Sequence, residues 1–152
     1  MKSKYIQTRL EQCQVLSKQS TCPRRKIAAM IVDPESNTIV SDGYNGPPRG
    51  GGDLCGGTTC ERDTLHIRSG THMEVGCHHA EMNAILNAAR VGVSTLGMHL
   101  IVTAEPCKMC ARAIHHAGIS KVYVLTGNYA EEELTGLSYL KKNGVELERI
   151  TS

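Results

Sequence analysis

The N-terminal part of the chain has a helical pattern of apolar residues followed by two extended stretches. Four apolar residues recur at intervals of four, three and three positions: Ile6, Leu10, Cys13 and Leu16. This spacing predicts a helix with one buried face. The stretches 27–32 and 38–41 have the length and composition of strands, and the Asp33-Pro34 pair between them favours a turn. They therefore predict two strands joined as a hairpin.

From residue 79 onward, helical and extended patterns alternate. Predicted helices cover 79–90, 107–117 and 131–142, and predicted strands cover 98–104, 122–125 and 145–150. In the first of these helices, four residues are predicted to face the core: Met82, Ile85, Leu86 and Ala89. Because helical crossovers make neighbouring strands parallel, this order predicts an α/β fold. We expect a three-layer α-β-α sandwich around a mixed sheet of about five strands.

The stretch 43–78 differs in composition from the rest of the chain. It contains nine of the fifteen glycines, three of the seven cysteines and three of the seven histidines. A long irregular segment is unusual inside a compact domain unless it serves a function or is clamped. We therefore interpret residues 1–152 as a single domain that carries a glycine- and cysteine-rich insertion at about 46–78.

Composition and charge narrow the range of partners. The formal net charge is +2, and the chain has five Tyr but no Phe and no Trp. It therefore lacks the stacking side chains and the strongly basic surface that favour binding to a nucleic acid polymer, and a small anionic substrate fits better. No apolar run approaches the length of a membrane span, and the stretch 1–19 is polar. These features predict a cytoplasmic protein with reduced thiols and no membrane partner.

Two short motifs place metal-binding side chains at the starts of predicted helices. The first is His79-Ala80-Glu81, and the second is Pro106-Cys107-Lys108-Met109-Cys110. Cysteines three positions apart on a first helical turn point the same way, and the helix dipole lowers the pKa of their thiols. Together with one imidazole from the other helix they make three protein ligands, which is the number typical of a catalytic zinc site.

Glu81 follows the candidate ligand His79 by two positions. A carboxylate there would lie beside the open position of the metal, where it can move protons to and from a water molecule. Two alternatives stay open. His78 could complete a structural zinc site with four ligands, and a Cys-x-x-Cys pair by itself is also typical of structural zinc or redox chemistry. The two motifs together favour the catalytic interpretation.

Four segments of the chain carry a resemblance to a known family. They are 20–26 (STCPRRK), 43–48 (GYNGPP), 79–85 (HAEMNAI) and 106–110 (PCKMC). From about residue 20 to residue 150, the chain resembles the deoxycytidylate (dCMP) deaminases of the cytidine deaminase superfamily. The resemblance implies a cytidine deaminase-like fold and zinc-dependent hydrolysis of dCMP to dUMP and ammonia for dTMP synthesis. It implies that His79, Cys107 and Cys110 bind zinc and that Glu81 protonates N3 of the cytosine.

The resemblance also implies which residues bind the substrate. Asn45 is expected to contact the deoxyribose, and Tyr129, Arg24 and Lys26 are expected to contact the phosphate. The residues by themselves leave simpler alternatives open. An Asn before a Gly is ordinary in a turn, and a short basic run is as typical of a solvated surface as of a phosphate site.

Regulation and assembly are implied by the resemblance alone. Members of the family are commonly homo-hexamers that dCTP activates and dTTP inhibits, with Mg²⁺ bound to the effector nucleotide. Five residues of this chain match the regulatory region: Tyr44, Asn45, Gly46, Arg49 and Arg90. The resemblance therefore predicts dCTP and dTTP as effectors of a homo-hexamer.

The cysteines in and around the insertion are candidates for a second metal, because some family members carry a structural zinc there. The candidate ligands are Cys22, Cys55, Cys60 and Cys77, with His66, His72 and His78 as substitutes. Such a clamp would order a glycine-rich segment. The alternative is a set of free thiols and surface histidines.

Two other functions stay open. One is another cytosine or adenosine deaminase of the superfamily, although a tRNA deaminase is expected to have the basic surface and stacking aromatics that this composition lacks. The other is a non-catalytic zinc-binding regulatory module. Glu81 separates this second function from catalysis, because a structural zinc site has no use for an acid beside an open position.

Overall fold

A five-stranded mixed β-sheet lies at the centre of the computed structural model, which describes residues 1–48, 60–68, 76–125 and 135–151. The strands are β1 (Ala28–Asp33), β2 (Thr38–Tyr44), β3 (His99–Val102), β4 (Lys121–Leu125) and β5 (Glu146–Ile150). Their order across the sheet is β2-β1-β3-β4-β5. β1 is antiparallel to both β2 and β3, while β4 is parallel to both β3 and β5. The predicted hairpin and the predicted parallel strands are both confirmed.

Helices pack against both faces of the sheet. They are α1 (Ser3–Ser17), α2 (Glu61–Thr64), α3 (Ala80–Val91), α4 (Lys108–His116) and α5 (Leu137–Lys142). One face packs against α1, where Leu10 and Cys13 join an apolar cluster with Ile101 and Tyr123. The other face packs against α3, α4 and α5 in a second apolar cluster. This arrangement confirms the predicted three-layer α-β-α sandwich. In the described ranges, every helix is too short or too polar to cross a membrane.

The buried face of α3 differs from the predicted one. The helix buries three small residues: Ala80, Ala84 and Ala88. Leu86, which the apolar pattern predicted inside, is 45% exposed. Of the other residues predicted to face the core, Met82 and Ile85 are half-buried and Ala89 is exposed. The cause is close packing of α3 on β2, because a Cβ atom on Gly43 would lie 2.5 Å from the backbone nitrogen of Ala84.

Gly43→Ala is therefore expected to lower the free energy of unfolding by about 2–3 kcal/mol. The added methyl group would overlap the α3 backbone, which cannot move aside as a flexible side chain can. Urea unfolding followed by circular dichroism measures the loss. Gly46→Ala is the matched control, since the nearest atoms to its Cβ position are 4.0 Å away. Equal destabilisation by the two substitutions would contradict a special close approach at Gly43.

Helix α5 begins later than predicted, at Leu137. The preceding stretch 126–134 lies outside the described residues. Thr135 forms an isolated antiparallel bridge with Cys107, and the Gly136 N–H donates to the Pro106 carbonyl at 2.6 Å. These bonds keep 135–136 out of the helix and attach them to the start of α4.

The two ends of the predicted insertion meet in the structure. The backbones of Gly46 and His78 form an antiparallel bridge with N···O distances of 3.1 and 2.9 Å. The described part of the insertion also contains the short helix α2, which the sequence pattern did not predict. Because His79 follows the bridge directly, the end of the insertion is fixed at the start of α3.

Candidate functional site

The starts of α3 and α4 bring three metal-binding side chains together. His79 precedes α3 and Cys107 precedes α4, each with the extended backbone of an N-cap residue, and Cys110 lies in the first turn of α4. The Nδ1 atom of His79 lies 3.4 Å from the Sγ atom of each cysteine. The Cys107 sulfur also accepts the Cys110 backbone N–H at 3.4 Å, so this cysteine caps α4 in the way that Ser or Asp usually does.

The three donor atoms fit a zinc ion. They all lie within 4.8 Å of one another. Zinc bonds of about 2.3 Å to sulfur and about 2.0 Å to nitrogen separate tetrahedral donors by about 3.6 Å, which is close to the 3.4 Å in this site. Across the described residues, this is the one group of His, Cys, Asp and Glu side chains that meets this condition. Three protein ligands leave a fourth position for water, as in catalytic zinc sites.

His78 is engaged elsewhere. Its Nδ1 atom lies 3.2 Å from the Oδ1 atom of Asn83, and Asn83 in turn donates to the Tyr44 carbonyl at 2.8 Å. The group of three donors does not include His78. The arrangement is therefore that of an open site with three ligands, and His78 helps to attach the end of β2 to α3.

The electrostatics of the site favour a thiolate. The hydrogen bond from the Cys110 thiol lowers the pKa of Cys107 to about 3, and the His79 ring and the Cys110 backbone N–H act in the same direction. The same shared proton, together with burial, raises the pKa of Cys110. The hydrogen bond with Cys107 raises the pKa of His79, although burial opposes it. A bound cation replaces the shared protons, since metal ligands must be deprotonated.

Glu81 is a buried acid in the first turn of α3. Its side chain is 4% exposed, and burial raises its pKa to about 7, with the charge of His79 opposing the shift. A carboxyl group with this pKa can both accept and donate a proton near neutral pH. The Cys107 charge raises the pKa of Glu81 further, which indicates that the acid and the metal-binding group share one electrostatic environment.

Asn45, the predicted deoxyribose contact, is 8% exposed and makes four hydrogen bonds to the segment 20–27, one of them from its backbone N–H to the Ile27 carbonyl at 3.1 Å. Its Oδ1 atom accepts from the Ile27 N–H at 2.9 Å, and its Nδ2 atom donates to the Arg25 carbonyl at 2.8 Å. Its own carbonyl accepts from the Ser20 hydroxyl at 2.7 Å. The side chain thus positions the basic segment, a structural role that the sequence did not indicate.

The predicted phosphate contacts are partly described. The Arg24 Nε atom lies 3.2 Å from the Oδ1 atom of Asp63 at α2. The Lys26 ammonium donates to the Ser20 carbonyl. Tyr129 lies outside the described residues. Both basic side chains therefore have partners within the chain.

The predicted regulatory residues occupy two places. Tyr44, Asn45 and Gly46 lie together at the end of β2, next to the start of α3. Arg90 is exposed in the last turn of α3, about 10 Å along the helix axis from Asn83. Arg49 lies outside the described residues. Within one chain, the structure does not bring Arg90 to the residues that follow β2.

The candidate ligands of a second metal are also only partly described. Cys55 and His72 lie outside the described residues. The other three cysteines are not in disulfides; Cys22 and Cys60 are buried, and Cys77 is half-buried. With the described histidines they do not form a group of three ligand atoms within 4.8 Å. Although burial opposes it, hydrogen bonds from Arg24 and the start of α2 lower the pKa of Cys60.

A buried acid close to the metal-binding cysteines was not predicted from the sequence. Glu105 is 7% exposed, and its Oε1 atom accepts from Nη1 of Arg149 at 2.9 Å. A carboxylate two residues before Cys107 is a local signal that could have indicated it. Arg149 has no such signal, because it lies 44 positions away in sequence.

Comparison with known proteins agrees with this geometry. The model of the family described as "Cytidine and deoxycytidylate deaminase zinc-binding region" matches residues 3–126. "ComE operon protein 2" of Bacillus subtilis (strain 168) is 36% identical over 127 residues, which are 83% of this chain and 59% of that protein. The deoxycytidylate deaminase of Mus musculus is 34% identical over 137 residues, 89% of this chain and 73% of that protein.

The crystal structure of dCMP deaminase from the cyanophage S-TIM5 in complex with dCMP and dUMP is similar over 99% of both chains, with a TM-score of 0.78 and 29% identity. This chain spans less than two thirds of some relatives, namely 59% of the Bacillus protein and 56% of a probable deoxycytidylate deaminase of Drosophila melanogaster. The family model nevertheless covers most of the chain. The chain therefore belongs to the cytidine and deoxycytidylate deaminase family, and it contains that family's zinc-binding deaminase region.

Proposed function

We propose that this protein catalyses the zinc-dependent hydrolytic deamination of dCMP to dUMP and ammonia, which supplies dTMP synthesis. The observation that carries the proposal is the buried Glu81 two residues after His79 in a site with three donors. Burying a carboxyl group is costly, and a structural zinc site gains nothing from it. A catalytic site needs such an acid to move protons. The same observation argues against a non-catalytic zinc-binding module.

The proposed mechanism divides the work among four side chains. His79, Cys107 and Cys110 would hold the zinc, which when bound supplies a nucleophile at neutral pH by lowering the pKa of water. Glu81, with a pKa of about 7, takes a proton from the attacking water and delivers it to N3 of the cytosine. It then transfers the second water proton to the leaving amino group. Water thus adds at C4, the C4–N bond breaks, and ammonia leaves.

The choice of dCMP as substrate is supported by the similarity to the cyanophage S-TIM5 enzyme, whose crystal structure contains dCMP and dUMP. We assign Asn45 to the deoxyribose, and Arg24, Lys26 and Tyr129 to the phosphate. The contacts of Asn45 support a shared location, because they hold the basic segment beside the end of β2. The bridge between Gly46 and the residue before His79 then connects this segment to the metal-binding group.

Ammonia release from dCMP, deoxycytidine, cytidine and dCTP tests this proposal. We expect kcat/KM for dCMP to exceed that for deoxycytidine by about 100-fold, because charge-assisted hydrogen bonds to a phosphate contribute about 2–3 kcal/mol. Turnover of the nucleosides but not of dCMP would contradict the proposal that dCMP is the substrate. No ammonia from any of the four compounds would contradict the activity.

The proposal extends to regulation and assembly through the family resemblance. The protein is a cytoplasmic homo-hexamer that dCTP activates and dTTP inhibits, each with Mg²⁺, through residues 44–46, Arg49 and Arg90. A second structural zinc is held in and around the insertion by four cysteines: Cys22, Cys55, Cys60 and Cys77. Light scattering measures the assembly, and the ammonia assay with each effector plus Mg²⁺ measures the regulation. A content of one zinc per chain would contradict the second metal.

A further inference from the structure

The loop that carries the metal-binding cysteines is held by a part of the chain outside the matched family region. The family model ends at residue 126, whereas α5 and β5 lie beyond it. This C-terminal unit, defined here as residues 135–151, contacts the start of α4 at three points. The contacts are a backbone bridge, close packing of Gly136 and an ion pair whose carboxylate is buried, and each involves a residue within two positions of Cys107.

The first two contacts are made by the residues before α5. Thr135, which is 1% exposed, forms an antiparallel bridge with Cys107 itself. The Gly136 N–H donates to the Pro106 carbonyl at 2.6 Å. A Cβ atom on Gly136 would lie 2.6 Å from the Cys107 carbonyl oxygen and 2.3 Å from the Cβ atom of Ala111. The backbone at Gly136 therefore packs directly against the first turn of α4.

The third contact is the ion pair between Glu105 and Arg149. The distance from Arg149 Nη1 to Glu105 Oε1 is 2.9 Å, and the carboxylate is buried while the Arg149 side chain is 41% exposed. Arg149 lies opposite Val124 in the pairing of β5 with β4, and Val124 lies opposite Val102 at the end of β3. Because β4 lies between β5 and β3, Arg149 reaches across β4 to the loop that leaves β3.

A loop held in this way has little freedom to move Cys107 away from His79. The outer partners of metal ligands fix the ligand orientation, and their removal typically weakens metal binding or activity. A buried carboxylate needs its cationic partner, because an unpaired buried charge drives the surrounding chain to rearrange. Here the chain that would rearrange is the two-residue connection from Glu105 to Cys107.

We propose that Arg149 and Glu105 are positioning residues of the zinc site, and that the C-terminal unit sets the geometry of the cysteine pair. The inference rests on the proposed function only for its effect on turnover; its effect on metal affinity does not depend on the substrate. Neither residue needs to touch the zinc ion or the substrate. Arg149 acts on Cys107 through Glu105.

Arg149→Gln tests the inference, with Lys121→Gln as the matched control. Lys121 also pairs with β5, through Glu146 and Glu148 at 3.8 and 3.7 Å. Lys121 lies on the face of the sheet opposite to Arg149, because it alternates along β4 with the residues that face α4 and α5. Zinc affinity is measured by competition with a chelator of known affinity. Kinetic constants for dCMP and the thermal midpoint are measured on the zinc-loaded full chain.

We expect Arg149→Gln to weaken zinc binding about 10- to 100-fold and to lower kcat, with KM for dCMP changed less than about twofold. Arg149→Lys should recover most of the zinc affinity because it restores the charge. Lys121→Gln should leave zinc affinity and kcat at the wild-type values. A lower thermal midpoint with unchanged zinc affinity and kcat would overturn the inference, as would an equal loss of zinc affinity in Lys121→Gln.

Glu105→Gln keeps the test decisive if Arg149→Gln does not fold. The Gln side chain has the shape of Glu, and the half-exposed Arg149 stays solvated, so this variant leaves no buried charge unpaired. We expect the same direction of change in zinc affinity, and wild-type affinity in Glu105→Gln would overturn the inference. If the wild-type chain bound zinc but did not deaminate dCMP, the proposed function would fail while the chelator result still decided the positioning role.

Discussion

Glu81→Gln is expected to lower kcat for dCMP by about 10³- to 10⁴-fold or more, while the zinc of the three-donor site stays bound. The amide has nearly the same shape as the carboxyl group, but it cannot carry a proton from water to N3 or to the leaving ammonia. The zinc stays because Glu81 is not among the three donors. Steady-state rates and elemental analysis on the same preparation measure the two effects.

Glu81→Asp separates the chemistry of the acid from its position. It retains a carboxyl group but moves it back by one methylene, so we expect turnover between that of the wild type and that of Glu81→Gln. Because Glu81 is deeply buried, the shorter side chain has little freedom to bring its carboxyl group back to the original position. Full turnover in Glu81→Gln would contradict the proton-transfer role, whatever the aspartate variant does.

Cys110→Ala is expected to lose both zinc and activity. The substitution leaves two donors, His79 and Cys107, which are too few for a stable zinc site with one open position. We expect the zinc content after dialysis to fall by about one per chain relative to the wild type and turnover to decrease by more than about 10³-fold. Elemental analysis and the ammonia assay check the two values. Adding excess zinc should restore little activity, because the geometry around the open position is lost.

Cys13→Ala is the matched control for the loss of a buried thiol. Cys13 is fully buried against the sheet on the α1 side, and burial raises its pKa to about 12. Its thiol contacts the Ile101 carbonyl at 3.7 Å and lies in the apolar cluster of α1. The variant should be less stable but should keep zinc at the wild-type level. If both alanine variants lost zinc equally, the assignment of Cys110 as a ligand would be wrong.

The parts of the site that follow from the sequence are local. His79 and Glu81 are two positions apart, and Cys107 and Cys110 are three apart, so each motif specifies its own geometry once a helix begins there. The starts of α3 and α4 can also be predicted from the apolar pattern of the sequence. The alternation of helices and strands after residue 79 then predicts parallel strands, as the structure confirms for β3, β4 and β5.

The parts that the sequence did not predict depend on tertiary contacts. The apolar pattern of α3 favours Ile85 and Leu86 as core residues, but the close approach of Gly43 selects the alanines instead. Asn45 is a typical turn residue by type, yet its side chain holds a segment about twenty positions away. The Glu105–Arg149 pair joins two regions with no shared motif. Such contacts are set by how the elements pack, which periodicity does not encode.

The common feature of the site is that two helix N-termini converge on it. Their N–H groups and dipoles stabilise negative charge, which suits thiolates and, in the proposed reaction, the negative charge on the oxygen that adds to C4. The Gly46–His78 bridge fixes one helix start, and the contacts of Thr135 and Gly136 fix the other. The metal-binding geometry is therefore determined by backbone on both sides, which is how a protein holds ligands at a defined separation.

Zinc-dependent catalysis by the three-donor site is tested most directly by a zinc titration of the metal-free wild-type chain, with dUMP formation from dCMP as the readout. We expect no turnover without metal, and a linear rise in rate with zinc that ends when the three-donor site is filled. Any second structural zinc is counted separately by elemental analysis. Turnover of dCMP by the metal-free chain, or none by the zinc-saturated chain, would contradict zinc-dependent catalysis at this site.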